Sequence, residues 1–209
     1  HQPQGVLRLT APVWFANRKV AQLLQDYQTR FPEVTLELSL SNHKVDLVAE
    51  GFDLALRVMR EPAPHQIARL ICPTPFHLVA SPAFVARYGL PRNCADVMRL
   101  PAISPSYLQQ PSFEFLVPDG PESLRLNPFM RSDNTKLTYY CALGGAGLAY
   151  LPQWLVMDDL ESGRLVRLLP DYREELQQLH AVYASRRYLT PKVRSFIDFL
   201  LEELAEPAK

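Results

Sequence analysis

Asp46-Leu-Val-Ala-Glu-Gly-Phe-Asp-Leu-Ala-Leu-Arg57 decides how this chain is read. Asp46 to Glu50 predicts one or two amphipathic helical turns. Gly51 then supplies the left-handed tolerance that ends a helix, and the residues up to Arg57 form a short buried strand. Immediately upstream, Val34-Thr-Leu-Glu-Leu-Ser-Leu40 alternates apolar and polar residues with the period of two that a half-buried strand requires. Strand, helix and strand in that order make a βαβ half-unit, which points to ligand-binding α/β architecture.

Working outward, Val6 to Thr10 reads as a first strand, and Ala11-Pro-Val-Trp14 as a tight connection into a helix. That helix carries Val20, Leu23, Leu24, Tyr27 and Phe31 along one face, and Pro32 stops it. Downstream, Ile67 to Cys72 and Phe76 to Ala80 predict two strands broken by Pro73 and Pro75. Ser81 caps a helix with Pro82 at its first position, running to Tyr88 and ended by Gly89. Pro91 to Pro128 is rich in proline; within it Phe113 to Val117 and Ser123 to Leu126 predict a hairpin around Pro118-Asp-Gly-Pro121. From Asp133 the periodicity returns. Asn134 caps a helix through Leu143, Gly144-Gly-Ala-Gly147 turns the chain, and Leu148 to Leu151 is a short apolar strand. Pro152 opens a helix that Gly163 ends; Leu165 to Leu168 and Leu179 to Ala184 follow as strands. Thr190 caps a closing helix to Leu204, with Pro191 in its first turn and Val193, Phe196, Ile197, Leu200, Leu201 and Leu204 on one face.

This alternation implies an α/β fold with a mainly parallel sheet covered on both faces. The irregular middle departs from the opening, so two lobes are expected: 1–75 plus 172–209, and 76–171. The chain would cross near Pro73 to Phe76 and return near Asp171 to Gln177, and the closing helix would dock on the first lobe.

Composition narrows the function classes. In 209 residues, 47% of them apolar, there is enough material for a substantial core. Lys and Arg number 22 and Asp and Glu number 22, so no net field attracts phosphates and this chain alone is not expected to hold nucleic acid. Cys72, Cys94 and Cys141 lie far apart with no metal-ligand spacing, which fits a reducing compartment and leaves one long-range bridge open. No apolar run approaches the roughly 20 residues that span a bilayer, and His1-Gln-Pro-Gln-Gly5 lacks the features of a secretory signal, as a matured secreted protein also would. GxSxG, GxxxxGK[ST] and a helix-opening GxGxxG are all missing, so neither catalysis nor a cofactor is expected. Cys141, among apolar neighbours, reads as an inert buried thiol. His43, His65, His77 and His180 show no metal-ligand spacing and read as structural or solvated.

Five stretches, in order, resemble one family: Gly5-Val-Leu-Arg-Leu-Thr-Ala-Pro12, Asp46-Leu-Val-Ala-Glu-Gly-Phe-Asp53, Leu78-Val-Ala-Ser-Pro82, Leu143-Gly-Gly-Ala-Gly-Leu-Ala-Tyr-Leu-Pro152 and Ala184-Ser-Arg-Arg-Tyr-Leu-Thr-Pro-Lys-Val-Arg-Ser-Phe-Ile-Asp-Phe-Leu200. Across nearly the whole chain they resemble the effector-binding domain of LysR-type transcriptional regulators. The resemblance implies a type 2 periplasmic-binding-protein fold, with two Rossmann-like lobes joined by two crossover segments and a small molecule held in the cleft. It further implies a winged helix-turn-helix and linker helix in the parent protein, so the chain is expected to be a fragment that meets DNA only through that N-terminal domain. A homodimer or homotetramer in the cytoplasm is implied, with the helix at Asn17 to Arg30 meeting Thr135 to Leu143 of a partner copy. Leu137, Tyr140 and the Leu36 to Leu40 edge are open to reading as that contact or as core. An exported solute-binding protein of the same fold is the competing reading, and a two-lobed enzyme the weaker one.

In open α/β sheets, ligands sit at the carboxyl ends of strands, where helix N-termini and unpaired N–H groups favour anions. The matching positions are Thr10, Pro12 and Trp14 after the first strand; Ser41 and Asn42 at the entry to the second helix; Ser104, Ser106 and Tyr107 after a strand of the second lobe; and Asn134 and Thr135 at a cap. Each hydroxyl or amide among them is equally suited to ordinary capping. Trp14 either stacks on a flat effector or packs beneath the helix it precedes, and with Tyr107 it hints at a ring in the ligand. Arg57, closing the third strand near the cleft, suits a carboxylate, although a salt bridge to a neighbouring acid is the favoured reading.

Overall fold

The computed structural model describes residues 2–109, 112–117, 119–174 and 176–205. The expected hairpin turn at Pro118, the return crossing at Glu175 and the end of the expected first lobe after Ala205 therefore fall, in those residues, outside the described part. The chain opens with β1 (Gly5–Ala11), α1 (Arg18–Arg30), β2 (Val34–Leu40), β3 (Leu54–Met59) and β4 (Ile67–Pro73). It continues with β5 (Phe76–Ala80), α2 (Pro82–Tyr88), α3 (Cys94–Val97), β6 (Pro101–Pro105), β7 (Ser112–Val117), β8 (Gly120–Arg125) and β9 (Asn127–Ser132). After these come α4 (Thr135–Leu143), β10 (Ala149–Pro152), α5 (Gln153–Ser162), β11 (Val166–Arg167) and β12 (Arg173–Glu174), and the chain closes with β13 (Gln178–Tyr183) and α6 (Pro191–Glu203). Two compact units result: His1–Thr74 with Gln177–Lys209, and Pro75–Leu176.

The first unit is built on a five-stranded sheet in the order β2-β1-β3-β13-β4. β1 is parallel to β2 from Gly5↔Val34 to Ala11↔Leu40, and parallel to β3 at Leu9↔Leu54 and Thr10↔Ala55. The expectation of a mainly parallel sheet is corrected on the other side, because the returning strand β13 runs antiparallel to both β3 and β4. α1 and α6 meet through Tyr27, which is fully buried; its ring packs edge-on to Phe196 and Phe199 at 5.0 and 5.4 Å, and its hydroxyl hydrogen-bonds Ser195 Oγ at 2.8 Å. On α6 the buried face includes Phe199, which the periodic reading omitted, whereas Leu201 and Leu204 are half-buried. Thr190 stands at the N-cap of α6, but its side chain makes no capping bond.

The helix expected at Asp46 to Glu50 is only a hydrogen-bonded turn. Asp46 Oδ1 accepts from the N–H groups of Val48 and Ala49, and Phe52 N donates to Leu47 O. Gly51, at φ +74°, reverses the chain before a second turn can propagate. The turn is fastened from below: Arg8 Nη1 donates to the carbonyls of Glu50 and Gly51, and Asp53 Oδ2 accepts from Arg8 N. A Cβ at Gly51 would lie 2.7 Å from Arg8 Nη1, a second reason for glycine there.

The second unit holds an antiparallel sheet β10-β5-β11, a sheet β12-β7-β8, and the parallel pair β6-β9. Leu78, Phe84, Val97, Phe115, Leu124 and Leu148 are buried together in its core. A hairpin is present as β7 and β8, paired from Ser112↔Arg125 to Val117↔Gly120, but the second strand begins at Gly120, so Gly120 and Pro121 belong to it rather than to the expected turn. β9 and α3 went unread because Pro128 interrupts one and the other is a single turn capped by Asn93 Oδ1. Cys141 lies in α4 but is half-buried, which corrects the expectation of a buried thiol.

Candidate functional site

In the first unit the carboxyl ends of β2, β1 and β3 lie side by side, and the predicted residues gather there. Thr10 is fully buried near the end of β1. Pro12 begins the 3-10 turn Val13–Phe15, and Trp14 within that turn is 4% exposed, with its ring edge-on to Phe15 at 4.7 Å. The indole is therefore buried within this unit. Ser41 N donates to Ala11 O, and Ser41 Oγ accepts from His43 N at 3.2 Å. Asn42 Oδ1 accepts from Val13 N at 3.2 Å, tying the strand-end loop after β2 to the one after β1. No helix follows Ser41 and Asn42, so their expected place at a helix entry is corrected: they shape a loop.

Arg57 departs furthest from expectation. It lies inside β3 rather than at its end, and the expected salt bridge is not formed. Its guanidinium donates to Leu56 O at 2.9 Å, Thr10 Oγ1 at 3.2 Å and His43 O at 3.3 Å. Among the described residues no carboxylate pairs with it. Burial pushes its pKa below the ordinary guanidinium value, the direction that desolvation of an uncompensated cation gives. A half-buried arginine is normally paired, because its charge is costly to take out of water alone. This one is held by neutral oxygens, with its positive charge unmatched beside the strand ends.

In the second unit the parallel pair β6-β9 presents its own carboxyl ends. Ser104 lies within β6, not after it; it is fully buried, and its Oγ has no hydrogen-bond partner. Ser106 N donates to Ser132 O at 2.9 Å, and Arg131 reaches the carbonyls of Ser106 and Leu108, fixing the loop that carries Tyr107. The Tyr107 side chain is 58% exposed. Ser132 Oγ accepts from Asn134 N, and Asn134 Oδ1 accepts from the N–H groups of Lys136 and Leu137, so Asn134 caps α4 as expected. Thr135 is the first residue of α4 and is half-buried. Of the polar set, then, Ser41, Asn42 and Asn134 have structural partners, Thr10 supports Arg57, and Ser104 has none. The sequence signal that singles out Arg57 is an arginine among apolar strand residues, the three before it buried, with no acid in the same segment beyond Asp53, which Arg8 and Lys192 occupy.

Among the described residues no three His, Cys, Asp or Glu side chains converge as metal ligands, and no helix is long and apolar enough to cross a membrane.

A family model, the LysR substrate binding domain, matches residues 1–205. The HTH-type transcriptional regulator DmlR of Escherichia coli K12 is 32% identical over 206 residues, covering 98% of this chain and 67% of its own length. PtxR of Pseudomonas aeruginosa, also an HTH-type transcriptional regulator, is 33% identical over 208 residues, with 97% of this chain and 65% of its own length covered. The chain thus spans about two thirds of the length of these relatives. Among solved structures, CrgA, a LysR-type transcriptional regulator from Neisseria meningitidis, superposes with a TM-score of 0.86 at 25% identity, covering 98% of this chain and 70% of that one. The isolated CrgA regulatory domain gives the same TM-score and is covered completely.

Proposed function

The chain belongs to the LysR substrate-binding-domain family, and from that premise we propose that it is the effector-sensing and dimerisation part of a LysR-type transcriptional regulator, with the two compact units as its lobes. The effector is a small anionic metabolite. The observation that carries this reading is Arg57: a half-buried guanidinium at the strand ends, steadied by Thr10 Oγ1 and unmatched by any carboxylate among the described residues. A ligand carboxylate supplies the missing charge and accepts the charge-assisted bonds that carbonyl oxygens now hold. Within the second unit, taken by itself, the buried Ser104 hydroxyl is a further polar group with no hydrogen-bond partner.

Effector binding alters transcription only to the extent that the ligand prefers one conformation of the regulator over another. DNA is met through the helix-turn-helix of the parent protein, which places the protein in the cytoplasm. The relatives' names support a regulator over the exported solute-binding reading or an enzyme. The first test is a thermal-shift screen of aliphatic and aromatic carboxylates against the chain. At least one is expected to raise the melting temperature in a saturable way, by the mass-action stabilisation that any ligand specific for the folded state confers. A panel in which neutral analogues stabilise as well as acids would sink the anionic reading.

Pairing of two copies is proposed through α1 of one and α4 of the other. On α4, Leu137 and Tyr140 are 49% and 59% exposed, so they are not core, and β2 is an edge strand ending in the exposed Leu40. A self-complementary interface uses each patch twice, so every substitution counts double. Leu137→Glu with Tyr140→Glu is expected to weaken self-association at least tenfold in sedimentation, the effect of about 1.4 kcal/mol per dimer. An unchanged association constant would place the interface elsewhere.

A further inference from the structure

The chain passes between its units twice, at Thr74–Pro75 and at Leu176–Gln177. On the second unit's side, both passages run into one buried polar cluster. His77 follows Pro75 by two residues in β5, and Glu174 closes β12 just before the return. Their side chains are 10% and 11% exposed, with His77 Nδ1 3.4 Å from Glu174 Oε1. The other ring nitrogen, Nε2, lies 2.8 Å from Gln153 Oε1 at the start of α5, and the backbone N–H of Gln153 donates to Pro75 O at 2.8 Å. Arg167 Nη2 in β11 reaches both Glu174 oxygens at 3.0 Å. β10 adds only the apolar Leu151 opposite His77. Among the described residues, Glu174 and, behind it, Arg167 are the charged groups facing the imidazole, and Gln153 the neutral one.

Counting donors decides what this cluster does. Both ring nitrogens of His77 face acceptor oxygens, and both can donate only when the ring is an imidazolium. A neutral imidazole has one donor, so it must give up one contact unless Gln153 turns its amide over to offer its NH2 group. Gln153 is also the residue whose backbone holds the first crossing. We infer that His77 is a proton-responsive clasp: charged, it fastens the first crossing through Gln153 and the second through Glu174; neutral, it releases one of them. Burial alone would push the Glu174 carboxyl up, but the hydrogen bond to His77, a backbone hydrogen bond and the charge of Arg167 outweigh it and hold the carboxyl below its ordinary value. Glu174 is consequently held as a carboxylate, an acceptor only, facing His77 Nδ1.

The test is amide hydrogen exchange of the 209-residue chain at about pH 5.5 and about pH 8, corrected for the intrinsic pH dependence of exchange. The Gln153 N–H is expected to be on the order of tenfold more protected at the lower pH, the gain of a charge-assisted bond. His77→Gln and Glu174→Gln should each abolish that difference. Equal protection at both pH values, or a difference that survives in His77→Gln, overturns the proposal. Should either variant fail to fold, the unsubstituted chain suffices. The Gln153 side-chain amide resonances must then move in step with the His77 ring nitrogens during titration, and an amide that stays still while the ring titrates also overturns the clasp.

Discussion

Replacing Arg57 with Gln is expected to lower the affinity for any stabilising carboxylate on the order of a hundredfold, as truncation of a partly desolvated charge partner does. Glutamine keeps a side chain able to donate toward Thr10 Oγ1 and the His43 carbonyl, so the sheet should survive. The effect is thereby confined to charge. Arg57→Lys separates charge from geometry: it retains the positive charge, loses the planar fork, and should fall between the two. Titration calorimetry with the best acid from the screen measures all three proteins. If Arg57→Gln binds that acid within about twofold of the unsubstituted chain, the guanidinium does not hold the ligand and the anionic assignment loses its support.

The second large effect concerns stability. Tyr27→Ala removes a fully buried ring that packs against Phe31, Phe196 and Phe199, and should cost about 3–5 kcal/mol in chemical denaturation. Tyr27→Phe keeps the ring and loses only the hydroxyl bond to Ser195, whose Oγ still donates to Lys192 O; it should cost about 0.5–1.5 kcal/mol. The ratio of the two is the informative quantity. Equal costs would mean that the α1–α6 contact rests on the hydroxyl rather than on the aromatic cluster.

How much was legible in the sequence depended on how locally each feature is encoded. β2, α2 and the caps at Ser81 and Asn134 follow from period and capping chemistry within a few residues, and they stand where the residues put them. The antiparallel course of β13 could not be read this way, because strand direction within a sheet depends on partners more than 100 positions away, such as Val182 beside Ala55. The turn at Asp46 to Gly51 has the pattern of a helix's first turn, and the Gly51 stop is legible; what holds the segment as a single turn, Arg8 gripping the Glu50 and Gly51 carbonyls, comes from some 40 residues away.

The polar candidates show the same division. Ser, Thr and Asn at strand ends were visible as residue types, but whether each is committed to a backbone group depends on the loop it meets. Asn42 is committed to Val13 and Asn134 to its own helix, whereas the Ser104 hydroxyl is not committed at all. Arg57 was undervalued because acids are common in the sequence and a partner was assumed. Only the fold reveals that the nearby Asp53 is turned toward Arg8 and Lys192. His77 was set aside for lack of metal-ligand spacing, a test blind to a histidine whose partners, Gln153 and Glu174, lie 76 and 97 positions on.

The placement of β13 between β3 and β4 has a consequence for biogenesis. On the ribosome, a nascent chain that ends at Leu176 has finished every strand of the middle unit but leaves a gap in the opening unit's sheet, with β3 and β4 each lacking a neighbour. Exposed strand edges of this kind invite pairing with other chains. Of the two units, the opening one is translated ahead of the middle one yet is completed after it, and truncations before Gln178 are expected to yield aggregates rather than a shortened folded chain.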